Sequence, residues 1–161
     1  MAKKKHIVTN AMRMLTAKKI PFKAYEYEAD EVGDNFGCVI AELLGTDPAK
    51  TYKTLVGKGD KTGVIVAVIP VNNEVNLKKL ASESGNKSVQ LIHVKELLSL
   101  TGYIRGGVSP IGMKKQYPTY VNNSCLQQDV VYVSGGVCGI SLEIKTEDFI
   151  SATGAVACEI V

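Results

Sequence analysis

The sequence predicts an α/β fold of the α+β type, in which helices surround a mixed, mainly antiparallel β-sheet. Two observations predict this class. Stretches with strand-like alternation outnumber those with helical spacing, and several neighbouring strands are separated by fewer than the dozen or so residues that a parallel crossover needs. The chain has 161 residues, 45% of them hydrophobic, and a chain of this size buries roughly 68–70% of its surface on folding. We therefore expect one domain spanning residues 1–161.

The first quarter of the chain alternates between helical and strand-like patterns. The stretch "TNAMRMLTAKK" has helical spacing, with Thr9 or Asn10 placed to cap its first amides. "FKAYEYEA" alternates like a strand, which brings Tyr25 and Tyr27 to one side. "NFGCVIAELLG" predicts a helix whose apolar face includes its phenylalanine, and Gly45 is placed to end it.

The middle of the chain predicts a hairpin followed by a short helix. "TYKTLVGKGDKTGVIVAVIPV" is typical of two strands joined by a polar turn. The second of these strands is almost wholly apolar, which indicates a central place in the sheet. Asn76 can cap the helix "LKKLASES", which Gly85 ends, and "VQLIHV" and "VKELLSLTG" predict a strand and a helix.

The last third of the chain predicts more strands and a final helix. "TYVNN", "VVYVS" and "ISLEI" are strand candidates, and "GGVCG" joins the last two as a hairpin. Thr146 is followed by Glu147 and Asp148, and acidic residues favour the positive end of a helix dipole. A helix therefore begins there.

Charge and hydropathy exclude several functional classes. The formal net charge is +3, which is too small to hold duplex nucleic acid without other contacts. No apolar run approaches the ~20 residues needed to cross a bilayer. The start "MAKKKHIVTN" lacks the apolar stretch that follows the charges of a secretory signal. We expect a soluble cytoplasmic protein with no membrane partner.

Cysteine and histidine are too scattered to predict a metal site. The sequence contains no CxxC pair, and no histidine lies at ligand spacing from a cysteine. We expect reduced cysteines, no bound metal and no cofactor. The cysteines are Cys38, Cys125, Cys138 and Cys158.

The stretch "TGYIRGGVSPIG" has an unusual backbone composition. It contains four glycines, which permit close approach of the main chain to another molecule, and Pro110, which stiffens it. Such a stretch predicts a ligand-binding loop, and the alternative is a tight structural connection between a helix and a strand. It matches neither the P-loop nor the dinucleotide-binding pattern.

Four motifs occur in one order along nearly the whole chain: "NFG", "YKTLV", "GYIRGGVSPIG" and "YVSGG". Together they resemble the YbaK/EbsC family of aminoacyl-tRNA deacylases. The resemblance implies a mixed, partly barrelled sheet and hydrolysis of the ester between a wrong amino acid and tRNA. Members closest to this pattern are free-standing proteins that clear cysteine from tRNA(Pro), and relatives form the editing insertion of prolyl-tRNA synthetase.

The expected function is therefore trans-editing of mischarged tRNA(Pro), above all Cys-tRNA(Pro). Its partners would be the acceptor end of tRNA(Pro), with the attached amino acid, and prolyl-tRNA synthetase as a candidate source of tRNA recognition. Removal of alanine from tRNA(Pro) is the alternative within the family. The alternative outside it is a non-catalytic module that binds the acceptor end or the synthetase.

The resemblance also implies site residues. Lys53, in "YKTLV", matches the functional lysine of the family and would contact a phosphate or the ester oxygen as the catalytic residue. Aromatic residues and the glycine-rich stretch would supply the pocket wall and backbone donors. These substrate-binding candidates are Tyr27, Phe36, Gly106, Gly107, Ser109 and Gly112.

No residue of the chain is an obvious nucleophile. A catalytic serine needs an adjacent base, whereas the two histidines, His6 and His93, lie in the charged start and at a strand–helix junction. Ser109 is therefore not expected to attack the ester, and the resemblance implies attack by the thiol of the cysteine substrate. Some relatives carry an acid two positions before Glu143, where this chain has Ser141, which leaves the amino-acid specificity open.

Overall fold

The computed structural model describes residues 7–28 and 36–161, and the structural statements below refer to these residues. The α-helices are α1 Asn10–Ala17, α2 Phe36–Leu44, α3 Leu77–Ser84, α4 Leu97–Thr101 and α5 Thr146–Thr153. The strands are β1 Lys23–Glu26, β2 Tyr52–Gly59, β3 Gly63–Pro70, β4 Val89–Leu91, β5 Thr119–Asn122, β6 Val130–Ser134, β7 Ile140–Lys145 and β8 Val156–Cys158. Short 3-10 turns occupy Val94–Glu96 and Asn123–Gln127.

The strands form two sheets. The larger has the order β4-β2-β3-β5-β8, and the smaller has the order β1-β7-β6. Within the larger sheet, β3 pairs in parallel with β5 and β5 with β8. The other pairings in both sheets are antiparallel, so the predicted mixed, mainly antiparallel architecture is confirmed.

The two sheets meet at the start of β2. Thr51 forms a parallel bridge with Tyr132 of β6, and the Tyr132 amide donates to the Lys50 carbonyl over 2.9 Å. This junction brings the two sheets together around a shared core. Apolar side chains of both sheets, of α1 and of α5 pack together inside it, including Leu15, Tyr52, Val66, Val68, Val131, Leu142, Ile144 and Phe149.

Strand β3 is buried on both faces. Val66 and Val68 pack into the core between the sheets, whereas Ile65 and Ile69 pack on the opposite side with Leu80 of α3. A strand with core on both sides needs a nearly continuous apolar run instead of alternation. The prediction that this strand is central is confirmed.

The predicted helix boundaries follow from side-chain and glycine caps. The hydroxyl of Thr9 accepts a hydrogen bond from the Met12 amide, and the Asn76 side chain accepts one from the Lys79 amide. Gly85 ends α3 in a left-handed conformation with φ of 76°. Of the two cap candidates in the first helix, Thr9 is therefore the one used.

Three elements differ from expectation. The apolar face predicted for α2 is only partly buried, because Val39 and Leu43 are exposed whereas Ala41 is fully buried. The stretch "VQLIHV" forms a strand over only three residues before the chain turns into the 3-10 segment that precedes α4. Strand β8 was not predicted, because its three residues are too few to show a period.

Across the described ranges, no helix combines the length and the apolar character that a membrane span requires. The assignment of residues 1–161 to one domain stays a prediction.

Candidate functional site

A cavity of about 500 Å³ opens where the two sheets meet. Its wall comes from β2, β6 and β7, from α2, from the segment between β4 and α4, and from the glycine-rich loop that follows α4. The volume lies within the roughly 300–1,000 Å³ typical of small-ligand pockets. This cavity is the candidate functional site.

The wall of the cavity is apolar with a few polar groups. Among the described residues that line it there is no Asp, Glu, His or Cys. Its aliphatic hydroxyl groups come from Thr51, Thr54, Ser134 and Ser141, and its cations are Lys53 and Arg105. A serine on this wall therefore has no neighbouring base of the kind that activates a nucleophile.

Lys53 lies on the cavity wall, as the resemblance implies. It belongs to β2, opposite Ile69 of β3, and is partly buried. Within residues 7–28 and 36–161, its ammonium makes no ion pair or hydrogen bond. A partly buried cation that lacks a carboxylate partner is suited to bind an anion or a polarised oxygen.

Two hydroxyl groups on the wall are buried. The Thr54 Oγ1 has no hydrogen-bond partner among the described residues, and an unpaired buried hydroxyl costs about 1–3 kcal/mol. Ser141 is buried, and its hydroxyl donates to the Val133 carbonyl across a long 3.5 Å. Both groups therefore have hydrogen-bonding capacity that the described residues do not fully satisfy.

Three tyrosines also line the cavity: Tyr27, Tyr52 and Tyr132. The Tyr27 amide donates to the Gly139 carbonyl over 2.9 Å, which continues the pairing of β1 with β7, and burial raises the pKa of its phenol. The Tyr132 hydroxyl donates to Glu143 Oε1 over 2.6 Å. Burial, followed by the Glu143 carboxylate, raises the pKa of Tyr132. Tyr132 therefore stays a neutral donor with a fixed ring.

Only part of the glycine-rich loop faces the cavity. Arg105, Gly106 and Val108 line it, whereas Gly107, Ser109 and Gly112 lie outside its wall. The Gly107 amide donates to the Ile104 carbonyl over 2.9 Å, so it is already occupied and unable to serve as a free backbone donor. Gly106, with φ of 90°, lines the cavity, unlike Gly107 and Gly112.

The other loop residues have structural explanations. A Cβ on Gly107 would lie 2.8 Å from the Val137 Cα in the β6–β7 turn. Ser109 is completely buried, and its hydroxyl accepts from the Ile111 amide over 3.3 Å. A Cβ on Gly112 would lie 2.7 Å from the main chain of α1 at Asn10. The predicted contact of these three residues with substrate stays a prediction that this geometry does not support.

Phe36 is the first residue of α2. Its side chain lies outside the described part of the structure, as does Asn35 of the "NFG" motif and His6. The following Gly37 lines the cavity and packs closely on Val71. The proposed role of Phe36 stays a prediction.

Sequence reasoning missed several residues of the wall. Arg105 stands inside the glycine-rich stretch, and Tyr132 and Ser134 stand inside "YVSGG", but neither motif by itself assigns these residues a role. The apolar wall formed by Ile40, Val71, Ile92 and Leu97 comes from three separate segments. Only a three-dimensional arrangement brings those segments together.

Histidine, cysteine and carboxylate side chains do not gather into a metal-binding group of three or more anywhere in the described part of the chain. The four cysteines are unpaired in the structure: Cys125 and Cys158 are buried, Cys38 is partly buried and Cys138 is exposed.

Comparison with known proteins identifies the family. The aminoacyl-tRNA editing domain family matches residues 39–152. A protein of Enterococcus faecalis named "Putative Cys-tRNA(Pro)/Cys-tRNA(Cys) deacylase EbsC" is 49% identical over 99% of this chain and 98% of that protein. A proline–tRNA ligase of Thermosipho africanus is 30% identical over 61% of this chain, which spans 19% of the ligase.

A solved structure described as "a putative trans-editing enzyme for prolyl tRNA synthetase" superposes with a TM-score of 0.80 at 23% identity, covering 96% of this chain and 98% of that one. This likeness shows a shared fold. The chain belongs to the aminoacyl-tRNA editing domain family. The predicted class of enzyme, an aminoacyl-tRNA deacylase, is confirmed.

The packing of Gly107 leads to the first prediction. Gly107→Ala should lower the free energy of unfolding by about 1–3 kcal/mol, because the added methyl group overpacks against the β6–β7 turn. Denaturant unfolding measures this change, and deacylation is then compared per folded molecule. A variant with unchanged stability and reduced turnover would restore the direct role of Gly107 in substrate binding.

The anchoring of the loop by Tyr103 leads to the second prediction. The Tyr103 hydroxyl donates to the Ile111 carbonyl over 2.6 Å, and burial raises the pKa of Tyr103 to about 12. Since an unfolded tyrosine titrates near pH 10, the folded state holds this proton more tightly. The stabilisation is complete below about pH 10 and is lost as the pH rises towards 12.

Tyr103→Phe should therefore be less stable than the parent protein at neutral pH, by about 1 kcal/mol for the lost hydrogen bond. Its free energy of unfolding should also fall less steeply above about pH 10. Denaturant titrations of both proteins across this range give the comparison. Identical slopes would show that Tyr103 titrates alike in the folded and unfolded chains.

Proposed function

We propose that this protein is a trans-editing deacylase of mischarged tRNA(Pro), with Cys-tRNA(Pro) as its preferred substrate. The single observation that supports this most is the cavity: it carries Lys53 on its wall and, in the described residues, neither a base nor a carboxylate. The near full-length similarity to a Cys-tRNA(Pro)/Cys-tRNA(Cys) deacylase, named as putative, supports the choice of amino acid.

The cavity suits the aminoacyl end of tRNA. Its volume of about 500 Å³ is enough for an amino acid esterified to a ribose but far too small for a folded tRNA. The amino acid therefore enters the cavity and the rest of the acceptor strand stays outside. The aliphatic wall formed by Val56, Val71 and Ile140 favours a small, weakly polar side chain such as that of cysteine.

In this proposal Lys53 stabilises the charge that develops on the ester. Attack on the carbonyl carbon places negative charge on the carbonyl oxygen, and a positioned cation lowers the energy of that state. The Gly106 amide is the backbone donor proposed to assist it. Lys53 is free for this task because, among the described residues, no carboxylate pairs with it.

The proposed nucleophile is the thiol of the substrate itself. Its thiolate sulfur bonds to the carbonyl carbon of the same cysteine, the ester carbon–oxygen bond breaks, and the ribose oxygen leaves with a proton. The products are free tRNA and a four-membered thiolactone, which water opens to cysteine. This route needs no protein base, since a thiol is partly ionised near neutral pH and is intrinsically reactive.

The synthetase is the proposed source of tRNA recognition. The net charge of +3 gives little long-range attraction for a whole tRNA. The similarity to a segment of a proline–tRNA ligase supports a site of action close to that synthetase. We propose that the protein acts there as one domain, in the cytoplasm.

Lys53→Ala should lower kcat/KM for Cys-tRNA(Pro) at least about tenfold, because a charge-assisted hydrogen bond contributes roughly 1.5–3 kcal/mol. Lys58→Ala is the matched control, since Lys58 is exposed on the same strand and outside the cavity wall. Initial rates of amino-acid release, with circular dichroism of each variant, give the measurement. Parent-like kinetics for Lys53→Ala would remove Lys53 from the site.

The nucleophile is tested with one tRNA(Pro) charged in turn with cysteine, S-methylcysteine, alanine, serine and proline. Cysteine should be released at least about tenfold faster than alanine or serine, and S-methylcysteine should not be released, since only cysteine offers a free thiol. Release of alanine at the rate of cysteine would point instead to a water positioned by the protein. Turnover with none of the substrates would identify a binding module.

A further inference from the structure

The cavity has a buried end and an exposed mouth. Val133 and Ser141 are almost fully buried at one part of its wall, whereas Leu91 and Val94 are 48% and 56% exposed at another. Arg105 is also exposed and lines the cavity. Arg105 therefore belongs to the mouth.

The orientation of an aminoacyl-tRNA in such a cavity is constrained by size. The amino acid is the end of the substrate, so it occupies the buried part, and the terminal ribose follows it towards the mouth. The first phosphodiester of the acceptor strand, on the 5′ side of the terminal adenosine, then lies at or just outside the mouth. This inference rests on the function proposed above.

Arg105 is available to bind an anion. Within the described residues its guanidinium makes no ion pair or hydrogen bond. The guanidinium group matches the geometry of phosphate oxygens and can donate two parallel hydrogen bonds to them. An unpaired cation at the rim of a cavity offers a binding site for an anionic group of the ligand.

The loop holds the main chain of Arg105 in place. The hydrogen bond from the Gly107 amide to the Ile104 carbonyl closes a four-residue turn with Arg105 at its second position. The buried Tyr103 precedes this turn and donates to the Ile111 carbonyl. The position of the Arg105 Cα is thus fixed by the turn that the Gly107 amide closes and by the anchoring of Tyr103.

We propose that Arg105 forms a phosphate subsite at the mouth of the cavity, which binds the phosphodiester next to the terminal adenosine of the acceptor strand. The substrate is then contacted by two cations at different places. Lys53 contacts the ester inside the cavity, and Arg105 binds the sugar–phosphate backbone of the tRNA at the mouth. The second contact positions the ester without taking part in the chemistry.

The subsite is tested with two minimal substrates that carry whichever amino acid the parent protein releases fastest from tRNA(Pro). One is the 3′-aminoacyl ester of adenosine, which has no phosphate. The other is the 3′-aminoacyl ester of the dinucleotide CpA, which has the single phosphodiester in question. Arg105→Gln is compared with the parent protein and with Lys61→Gln, a charge change at an exposed position of the β2–β3 turn.

Arg105→Gln should lower kcat/KM about tenfold for the CpA ester, chiefly through KM, and leave the adenosine ester unchanged. Lys61→Gln should match the parent protein on both. An equal loss on the two esters, or no loss on either, would overturn the phosphate subsite. Failure of the parent protein to release any amino acid from tRNA would instead overturn the proposed function. This release is measured before any variant is made.

Discussion

The cavity depends on the main-chain junction between the two sheets. The Tyr132 amide donates to the Lys50 carbonyl over 2.9 Å, beside the bridge between Thr51 and Tyr132, and the Thr51 carbonyl in turn accepts from the Val71 amide. These contacts hold the start of β2 against β6. Because β2 of the larger sheet and β6 of the smaller sheet both line the cavity, the site exists only when both sheets are in place.

The charged and polar groups of the wall determine which ligands the cavity favours. The lining residues that the structure describes bring two cations and several hydroxyl groups but no acid, so the cavity favours a ligand that carries or develops negative charge. In a partly water-excluded space this preference is stronger than it is at an open surface. The Glu143 carboxylate lies nearby but is engaged by the Tyr132 hydroxyl and by Lys23, whose ammonium is 3.8 Å away.

The glycine-rich loop contributes both to packing and to the cavity wall. Gly107 and Gly112 let it press against the β6–β7 turn and against α1, and Tyr103 and Ser109 hold it from within. These contacts leave Arg105, Gly106 and Val108 on the cavity wall. The structural explanation of this composition therefore holds for Gly107, Ser109 and Gly112, whereas ligand binding stays a prediction for the residues on the wall.

The sequence by itself determined the order of the main elements, the central strand and the family. Caps at Thr9 and Asn76, the left-handed end at Gly85 and the apolar run of β3 are local features, so they can be read without the fold. The family resemblance also implied Lys53 and Tyr27 as site residues, and both lie on the cavity wall. Only the tertiary structure showed that Gly106 lines the cavity whereas Gly107, Ser109 and Gly112 do not. Neighbouring residues in a tight loop point in different directions, and the sequence does not reveal which of them face the cavity. The tertiary structure also brought Ile40, Val71 and Ile92 together, since contacts between distant segments leave no periodic trace in the sequence.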